Sequence, residues 1–359
     1  MSDSDVEMKM PHQETASRIE TVAVIIPYYN GSKYIRRSAE SVLAQTVPAT
    51  EFVVVDDGSS PEEAALLDEI AQSMGFRVLR KENGGQGTAR NYGVAHTSSR
   101  FICFLDQDDF YLKTHIATLL DAVPLDDPHF GWVYGDLMEA DGEGNIVRSD
   151  MVKQHALHPK RFINDLLAND MFVLPSASLI ERTAFEAVGG FDPQFTGYED
   201  DDLFLRIFRR GYTNYFVDKA VTVWCINSES TSYSIKMSRS RLRYVKKLCS
   251  QFPDDVDKRR NYVRDLIAPR FTHMIISDAF TAVAFSKTPQ QKKMAAYKDE
   301  LVEIMNGYVE TIFGCTKLSI KNRIAIYVQS KIINLKSKNL SLAALYLFRT
   351  SRRARNFIR

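Results

Sequence analysis

The chain contains little cysteine, and its four cysteines are widely scattered, at Cys103, Cys225, Cys249 and Cys315. No two of them have the close, paired spacing of a zinc site, and four in 359 residues are too few for a disulfide-rich scaffold. We therefore expect reduced, mostly buried thiols in a cytoplasmic protein.

Long apolar runs are also absent. No stretch has the roughly 20 consecutive apolar residues of a membrane-spanning helix, and residues 1–20 lack the apolar core of a secretory signal. We expect this polar segment to be a disordered arm. With 359 residues, 45% of them hydrophobic, the chain can bury a sizeable core, and its length predicts two domains.

Three apolar segments predict buried strands that end in polar, turn-forming residues. They lie in residues 21–31, 51–61 and 101–105. Residues 32–46, between the first two, carry apolar side chains close to helical spacing. Strands that are apolar on both faces and alternate with helices indicate an α/β fold with a mainly parallel central sheet flanked by helices.

Carboxylates follow the third predicted strand. Asp106, Asp108 and Asp109 come directly after it, at the edge where open α/β sheets bind ligands. Neighbouring negative charges repel one another, so the cluster is costly unless a cation neutralises it. Oxygen ligands that leave positions for water and phosphate suit Mg²⁺ or Mn²⁺. On this segment alone, a solvated acidic turn is the alternative.

A glycine-rich segment at residues 83–93 opens a further predicted helix. Glycines let a backbone pass close to a ligand, and a helix N-terminus favours phosphate. The segment is not a dinucleotide fingerprint, because Arg90 stands where the third glycine would be, and it lacks the Gly-Lys-Ser/Thr of a P-loop. A flexible turn with a helix cap is the alternative.

Four consecutive acidic residues, Glu199 to Asp202, begin a segment with the apolar spacing of a helix. Leu203, Ile207 and Phe208 would form its buried stripe. The helix dipole favours acidic residues in a first turn, which is the simpler explanation. Four of them exceed what capping needs, however, and a carboxylate placed here could serve as a general base.

The order of these motifs resembles that of the family 2 glycosyltransferases, which are inverting enzymes of the Rossmann-like GT-A fold. The resemblance runs from about residue 20 to about residue 235. Each motif alone is weak, but the ordered set is highly specific. The motifs are, in order, Pro27-Tyr28-Tyr29-Asn30, Val55-Asp56-Asp57-Gly58-Ser59, Ala89-Arg90-Asn91, Asp106-Gln107-Asp108-Asp109, Val188-Gly189-Gly190-Phe191-Asp192 and Glu199-Asp200.

The resemblance implies a donor-binding role for residues near the first three strand ends. Pro27, Tyr29 and Asn30 would shape the floor of the nucleotide pocket. Asp57 would accept a hydrogen bond from the base, as expected for uracil or thymine. Arg90 would help to hold the nucleotide side of the donor.

The resemblance also assigns the chemistry. Asp106 would contact the ribose or the metal shell, and Gln107 would belong to the donor site. Asp108 would bind the divalent cation, Mg²⁺ or Mn²⁺, that bridges the diphosphate. Asp200 would be the general base that deprotonates the acceptor hydroxyl, while Glu199 would support the loop geometry or bind the acceptor.

The chain departs from the family pattern in three places. Many members have proline where this chain has Lys113, and many have a metal-binding histidine after the last sheet segment, whereas residues 223–228 contain none. This leaves the rest of the metal shell open. The Gln-x-x-Arg-Trp signature of processive synthases is absent too, so we expect one or a few sugars to be transferred per encounter.

The expected organisation has three parts. Residues 1–20 would be the disordered arm, residues 21–235 the GT-A catalytic domain, and residues 236–359 a helical, basic C-terminal region. Within the catalytic domain, residues 21–110 would bind the nucleotide and residues 111–235 the acceptor.

The predicted activity is metal-dependent, inverting transfer of a sugar from a nucleoside-diphosphate sugar, UDP-linked by expectation. The acceptor would be a hydroxyl of a glycan or lipid-linked saccharide, as in surface polysaccharide biosynthesis.

Two other functions are possible for this fold. A nucleotidylyltransferase would need a glycine-rich, basic loop after the first strand, unlike Tyr28-Tyr29-Asn30-Gly31-Ser32. A non-catalytic sugar-nucleotide-binding module would tolerate the loss of Asp108 or Asp200, and both are present.

Charge is unevenly distributed although the formal net charge is only +1. Residues 311–359 hold eleven basic and no acidic residues, which leaves 35 basic and 45 acidic residues in 1–310. Apolar residues interleave with the basic ones, and such a stretch suggests the surface of an anionic membrane. We therefore expect a cytoplasmic protein that can lie peripherally at the inner face of the cell membrane. A helical cap with a solvated basic face is the alternative, and nucleic acid binding is not expected because no recognised module accompanies the charge.

Overall fold

The computed structural model describes residues 20–226, 234–255 and 257–340. This part of the chain contains one sheet that includes the three predicted apolar strands, as β1, β2 and β4. The strands are β1 Val22–Tyr28, β2 Glu51–Asp56, β3 Arg77–Arg80, β4 Phe101–Phe104, β5 Phe110–Tyr111, β6 Phe130–Ala140, β7 Ile146–Arg148, β8 Ser178–Glu181 and β9 Thr213–Cys225. Every residue of β1 and β4 is buried, as their apolar sequences require.

The strands lie in the order β3-β2-β1-β4-β8-β6-β9-β5, with β7 paired to β6. Strands β3, β2, β1, β4, β6 and β9 run in one direction, and β8, β5 and β7 run against it. The sheet is therefore mainly parallel, as predicted. Because adjacent parallel strands end at the same edge, the loops after β1, β2 and β4 meet there.

Helices accompany the sheet along the catalytic domain. They are α1 Ser32–Leu43, α2 Pro61–Met74, α3 Gln86–Ala95, α4 His115–Asp121, α5 Ile163–Ala168, α6 Arg182–Ala187 and α7 Glu199–Arg209. Helix α3 packs directly on β1 and β2. A Cβ added to Gly93 would lie 2.5 Å from Ile25 Cγ2, so only glycine allows this close approach.

The start of α2 corrects one expectation. Ser60, Pro61 and Glu63 predict a reciprocal capping box. Ser60 is the N-cap and its Oγ accepts the Glu63 N–H at 3.4 Å. The other half of the box is not formed, because the Glu63 carboxylate accepts the Tyr28 hydroxyl at 2.8 Å, while the Ser60 N–H donates to Asn30 Oδ1 at 2.9 Å. These contacts tie the start of α2 to the end of β1.

The C-terminal region consists of helices, as predicted. They are α8 Ile235–Gln251, a π-helical turn Val263–Ile267, α9 Ala268–Ala284, α10 Pro289–Ala296, α11 Lys298–Cys315 and α12 Ile320–Asn334. Buried residues of α8, α9, α11 and α12 belong to the same hydrophobic core as the sheet. The α/β fold with a helical C-terminal extension is therefore confirmed. Residues 1–19 of the expected disordered arm, and the basic residues beyond 340, lie outside the described ranges.

The four cysteines differ in burial, and the described helices can be compared with the length and hydropathy of a membrane span. Cys103, Cys225 and Cys249 are buried and Cys315 is exposed, which confirms the expectation of mostly buried thiols. Within residues 20–226, 234–255 and 257–340, no helix combines the length and the hydropathy needed to cross a bilayer.

Candidate functional site

The loop after β1 is fixed by hydrogen bonds to its two neighbours. Asn30 has a positive φ of 47°, and its N–H donates to Ser59 Oγ at 3.0 Å in the loop after β2. The Tyr29 N–H donates to Gln107 Oε1 at 2.9 Å in the loop after β4. Pro27 is buried in β1 opposite Val55, whereas the Tyr29 side chain is 51% exposed. The structure thus gathers Pro27, Tyr29, Asn30 and Gln107 at one end of the sheet.

Asp57 holds the glycine-rich loop in place. Its Oδ1 accepts Lys81 Nζ at 2.6 Å and the Gly84 N–H at 3.0 Å, and its Oδ2 accepts the Gly85 N–H at 2.7 Å. A carboxylate oxygen can accept two hydrogen bonds, so Oδ2 can also receive one from a ligand. The expected contact with a nucleotide base therefore stays a prediction, and the contacts with the loop add a second role for Asp57.

Arg90, on α3, connects the end of β4 to the start of α7. Its Nη2 lies 2.5 Å from Asp106 Oδ1, and its Nη1 lies 3.7 Å from Glu199 Oε1. The side chain is only 3% exposed and stacks near the rings of Phe104 and Phe191. Burial alone would lower the pKa of Arg90, but the nearby carboxylates of Asp106 and Glu199 outweigh this effect and raise the pKa. A permanent cation thus joins two residues that are 93 positions apart in sequence.

The three aspartates after β4 have different surroundings. Asp106 is partly exposed, and the described hydrogen bonds from Gln86 and Arg90 both reach its Oδ1. Asp108 is also partly exposed. Asp109 is buried and accepts the Cys225 N–H at 2.9 Å. Burial, together with the charges of Asp108 and Asp106, raises the pKa of Asp109 and so favours its neutral form. The repulsion predicted from sequence is therefore relieved in part without a cation.

The remaining pair fits a hard divalent cation. Asp106 and Asp108 are partly exposed carboxylates at a strand end, and the contacts from Gln86 and Arg90 reach Asp106 through Oδ1. Mg²⁺ is commonly held by one or two carboxylates, with waters and substrate phosphates completing its shell. In the described ranges no group of three or more His, Cys, Asp or Glu side chains is placed to hold an ion. The rest of the shell of a cation held by Asp106 and Asp108 would come from water or from phosphate oxygens.

In the acidic first turn of α7, Glu199, Asp201 and Asp202 each contact a different cationic side chain. Glu199 faces Arg90. Asp201 forms an ion pair with Arg270 of α9, and Asp202 pairs with Lys247 of α8 at 2.6 Å. Partner residues thus account for three of the four acids, which a helix dipole alone does not explain.

Asp200 is the remaining acid of this turn. Its Oδ1 accepts the N–H of Asp201 at 2.9 Å. Burial first, and then the negative charges of Glu199, Asp201 and Asp170, raise the pKa of Asp200 well above its usual value. A carboxylate with a raised pKa is a stronger base once it is ionised, which suits proton abstraction.

The residue before this turn is held in an unusual conformation. Tyr198 has a φ of 63°, which is uncommon for a bulky residue. Its ring stacks on Tyr244 with centroids 5.3 Å apart, and its hydroxyl accepts Arg241 Nε at 3.1 Å. Because such strain persists only where the surroundings enforce it, helix α8 determines the backbone geometry that leads into Asp200.

Sequence patterns missed several residues of this site. Lys81 precedes the glycine-rich segment and Gln86 lies within it, and their polarity was a usable but weak signal. Arg241, Lys247 and Arg270 carried no local signal, because they contact the α7 turn across 43 or more positions.

Two family models match the chain. One, described as Glycosyl transferase family 2, matches residues 23–189, and one described as N-terminal domain of galactosyltransferase matches residues 175–225. The first spans β1 to Gly189, and the second continues through α7 into β9. The matched regions therefore contain every candidate site residue named from sequence.

Curated relatives agree with this match. An uncharacterized glycosyltransferase of Rickettsia conorii is 33% identical over 192 residues, which cover 52% of this chain and 31% of the relative. Glycosyltransferase GlyG of Streptococcus pneumoniae is 31% identical over 180 residues, covering 47% and 59%. Chondroitin synthase of Escherichia coli is 28% identical over 198 residues, covering 55% and 28%. The chain therefore matches less than two thirds of the length of these relatives.

Solved structures share the fold. Residues 1–349 of S. aureus TarS have a TM-score of 0.59 and 17% sequence identity, with 92% of both chains covered. The same protein in complex with UDP-GlcNAc has a TM-score of 0.58 over the same share. The family model, the curated relatives and the ordered motifs therefore agree that residues 23–189 match glycosyltransferase family 2.

Proposed function

We propose that the chain transfers a sugar from a nucleoside-diphosphate sugar, UDP-linked, to a hydroxyl of a glycan or lipid-linked saccharide. The observation that carries this proposal is the position of Arg90 between Asp106 and Glu199. It brings the end of β4, where a diphosphate would bind, next to the turn that carries Asp200. TarS, which shares the fold, has been crystallised with UDP-GlcNAc, and this supports a UDP-linked donor.

In the proposed reaction, Asp200 removes a proton from the acceptor, and the nucleoside diphosphate leaves from the donor site. Asp200 accepts the proton of the acceptor hydroxyl as the oxygen attacks the anomeric carbon. The bond from that carbon to the diphosphate breaks, and the nucleoside diphosphate leaves with the bonding electron pair. A single in-line displacement of this kind inverts the anomeric configuration.

Asp108, with Asp106, would hold Mg²⁺ or Mn²⁺ against the diphosphate, and the cation would neutralise the charge that develops on the leaving group. Arg90 itself is committed to Asp106 and Glu199, so it acts on the donor chiefly by orienting Asp106. Glu199, held against Arg90, keeps the first turn of α7 at the donor site.

The pocket floor would bind the nucleoside. Tyr29 offers an exposed ring at the end of β1. Asn30 and Gln107 join the loops after β1, β2 and β4 by hydrogen bonds, and so would hold the nucleoside-binding residues in one arrangement. Asp57 would accept the base N–H while it holds the glycine-rich loop.

The test is release of nucleoside diphosphate. The purified chain is mixed with UDP-, GDP- and TDP-linked sugars in Mn²⁺ or Mg²⁺, and diphosphate is measured with and without added saccharides. Metal-dependent release from UDP-linked sugars supports the proposal. A binding module would bind a nucleotide sugar without releasing diphosphate. A nucleotidylyltransferase would also release none, and with added pyrophosphate it would convert the nucleotide sugar to nucleoside triphosphate and sugar 1-phosphate. Either result would overturn the proposal.

We also propose that helix α12 docks on an anionic membrane surface. Ile320, Ile324 and Tyr327 are 80%, 57% and 53% exposed, so they form an apolar face on one side of the helix. Ile326 and Ile333 bury the other side in the core. Exposed basic residues of α12 flank the apolar face at Lys321, Arg323 and Lys331. A cationic, apolar face of this kind matches the headgroup region of an anionic bilayer.

Vesicle sedimentation tests the membrane proposal. The full chain should sediment with vesicles containing phosphatidylglycerol but not with pure phosphatidylcholine, and salt should weaken binding. Each basic residue near the surface contributes on the order of 1 kcal/mol, so Lys321→Gln with Arg323→Gln should weaken binding about tenfold or more. The matched control is Arg264→Gln, an exposed position outside α12. No binding at low salt by folded protein would contradict the proposal.

A further inference from the structure

A cavity of about 350 Å³ lies on the acceptor half of the catalytic domain. Two stretches line it, one at residues 154–160 and one that includes α5 and the residues after it, up to Met171. The volume lies within the range of small-molecule sites. No residue assigned to donor binding lines this cavity, so it is separate from the predicted nucleotide pocket.

The lining has the chemistry that saccharides need. Gln154, Asn169, Asp165 and Asp170 supply amide and carboxylate groups that can bind sugar hydroxyls. Leu157, 78% exposed, provides an apolar surface for the C–H face of a ring. These groups point to a ligand with many hydroxyls and some apolar surface.

The charge of the lining selects among saccharides. Two carboxylates, Asp165 and Asp170, face one cation, Lys160. Lys160 is only 5% exposed and donates to the Leu157 carbonyl at 3.1 Å, and its burial lowers its pKa to about 8. Phosphate or uronic acid groups would therefore meet more negative than positive charge, so the lining favours a neutral sugar.

The cavity wall is bonded to the turn that carries Asp200. The Met171 N–H donates to Asp201 Oδ1 at 3.3 Å. Arg270 forms an ion pair with Asp201 and donates from Nη1 to the Leu166 carbonyl at 3.1 Å, so it connects the α7 turn to the cavity wall formed by α5. On the donor side, Glu199 faces Arg90. Asp200 thus stands in the chain between a residue tied to the donor site and a residue tied to the cavity.

We propose that this cavity binds the acceptor saccharide, as a neutral, hydroxyl-rich sugar whose attacking hydroxyl reaches Asp200. The inference rests on the proposed function and adds where the acceptor lies and what class of sugar it is. A general base must lie between donor and acceptor. Asp200 does not itself line the cavity, but its neighbours Glu199 and Asp201 contact Arg90 and the cavity residue Met171, and Asp170 of the lining is close enough for its negative charge to act on Asp200.

The experiment fills the cavity with a larger side chain, and it measures hydrolysis of the donor and transfer to an acceptor separately. Ala156→Trp places a large ring in the lining, Leu157→Ser removes the exposed apolar contact, and Leu125→Trp is a matched control on a fully solvated side chain outside the cavity. Hydrolysis of the nucleotide sugar without acceptor reports the donor site. Transfer to octyl glucoside, octyl galactoside and octyl N-acetylglucosaminide, each compared with its acidic counterpart, reports the acceptor site.

We expect Ala156→Trp to lower kcat/KM for the neutral acceptor about tenfold or more, equivalent to about 1.4 kcal/mol of lost transition-state binding, while hydrolysis is preserved. Leu157→Ser should show a smaller loss of the same kind, and Leu125→Trp none. Unchanged transfer by Ala156→Trp with intact hydrolysis would overturn the inference. So would a preference for acidic acceptors, or hydrolysis without transfer to any neutral glycoside. Absence of both hydrolysis and transfer in the unaltered chain would instead overturn the proposed function, and the inference with it.

Discussion

The donor half and the acidic turn of α7 are stabilised in different ways. In the donor half, charged residues contact the segments that follow neighbouring strands: Asp57 contacts Lys81 and Gly84 after β3, and Asp106 contacts Arg90 of α3. In the acidic turn, Asp201 finds its partner in the C-terminal helices, at Arg270. One site is therefore assembled within residues 27–108, and the other depends on chain that follows the sheet.

The difference suggests that the two parts of the reaction are separable. The donor site should keep its affinity when the C-terminal helices are perturbed, because none of its described contacts involves them. Catalysis by the proposed base, Asp200, should be weakened by the same perturbation, since Arg241 and Arg270 fix the turn around Asp200. The C-terminal helices would then act as a support for catalysis as well as a cap on the core.

The largest expected effect is that of Asp200→Asn. Loss of a general base typically costs about 10²–10⁴-fold in rate, and an amide of similar size leaves the turn in place. We expect transfer to fall by that factor with donor affinity unchanged, measured by single-turnover transfer and by UDP titration. Weaker UDP binding with normal turnover of the bound donor would show that Asp200 is a donor ligand.

Arg270→Gln should have the next largest effect. It leaves Asp201 buried without its cation, and breaking a buried pair in this way costs about 3–5 kcal/mol of stability. Displacement of the turn by even about 1 Å can cost about 10²-fold in rate. We expect a lower kcat and a lower unfolding temperature with UDP affinity preserved.

Two variants sharpen the result for Arg270. Arg270→Lys keeps the charge but loses the planar fork that reaches both Asp201 and Leu166, so it should restore stability more than kcat. Arg264→Gln breaks an exposed pair with Asp265 in the same region and should change neither. A drop in UDP affinity equal to the drop in kcat would show that the two sites are not separable.

The smallest expected effect is on pH dependence. Transfer needs ionised Asp200, so kcat should rise with pH through a pKa well above that of an ordinary aspartate. The charge of Asp170 contributes to that raised pKa, so Asp170→Asn should move the acidic limb of the profile to lower pH at saturating acceptor. Asp165→Asn, in the same cavity, is the matched control. A shift to higher pH would contradict the assignment of Asp200 as the base.

The contrast between the regions also explains what sequence could predict. The apolar strands, the carboxylates after β4 and the acidic start of α7 are local patterns, and the structure contains them as expected. Candidate residues at adjacent parallel strand ends meet because parallel strands share an edge. That the proposed donor residues lie together at one edge of the sheet could therefore be predicted from sequence alone.

Long-range partners could not be predicted in this way. The ion pair of Arg270 with Asp201 joins residues 69 positions apart, and no periodicity indicates which cation reaches which carboxylate. Asp109 follows β4 together with Asp106 and Asp108, but it is buried, and this burial raises its pKa, which the local sequence does not indicate. The Glu63 carboxylate left its expected cap for a tertiary contact with Tyr28. In each case a tertiary contact outweighed a local preference.

Calorimetric titration of UDP with and without Mn²⁺ tests most directly whether Asp108 serves metal-dependent donor binding and Asp200 does not. The unaltered chain, Asp108→Asn and Asp200→Asn are compared under identical conditions, with circular dichroism as the check on folding. The account predicts that Mn²⁺ strengthens UDP binding in the unaltered chain and in Asp200→Asn, and that this gain disappears in Asp108→Asn. An equal Mn²⁺-dependent gain in all three proteins, or its loss in Asp200→Asn alone, would contradict the account.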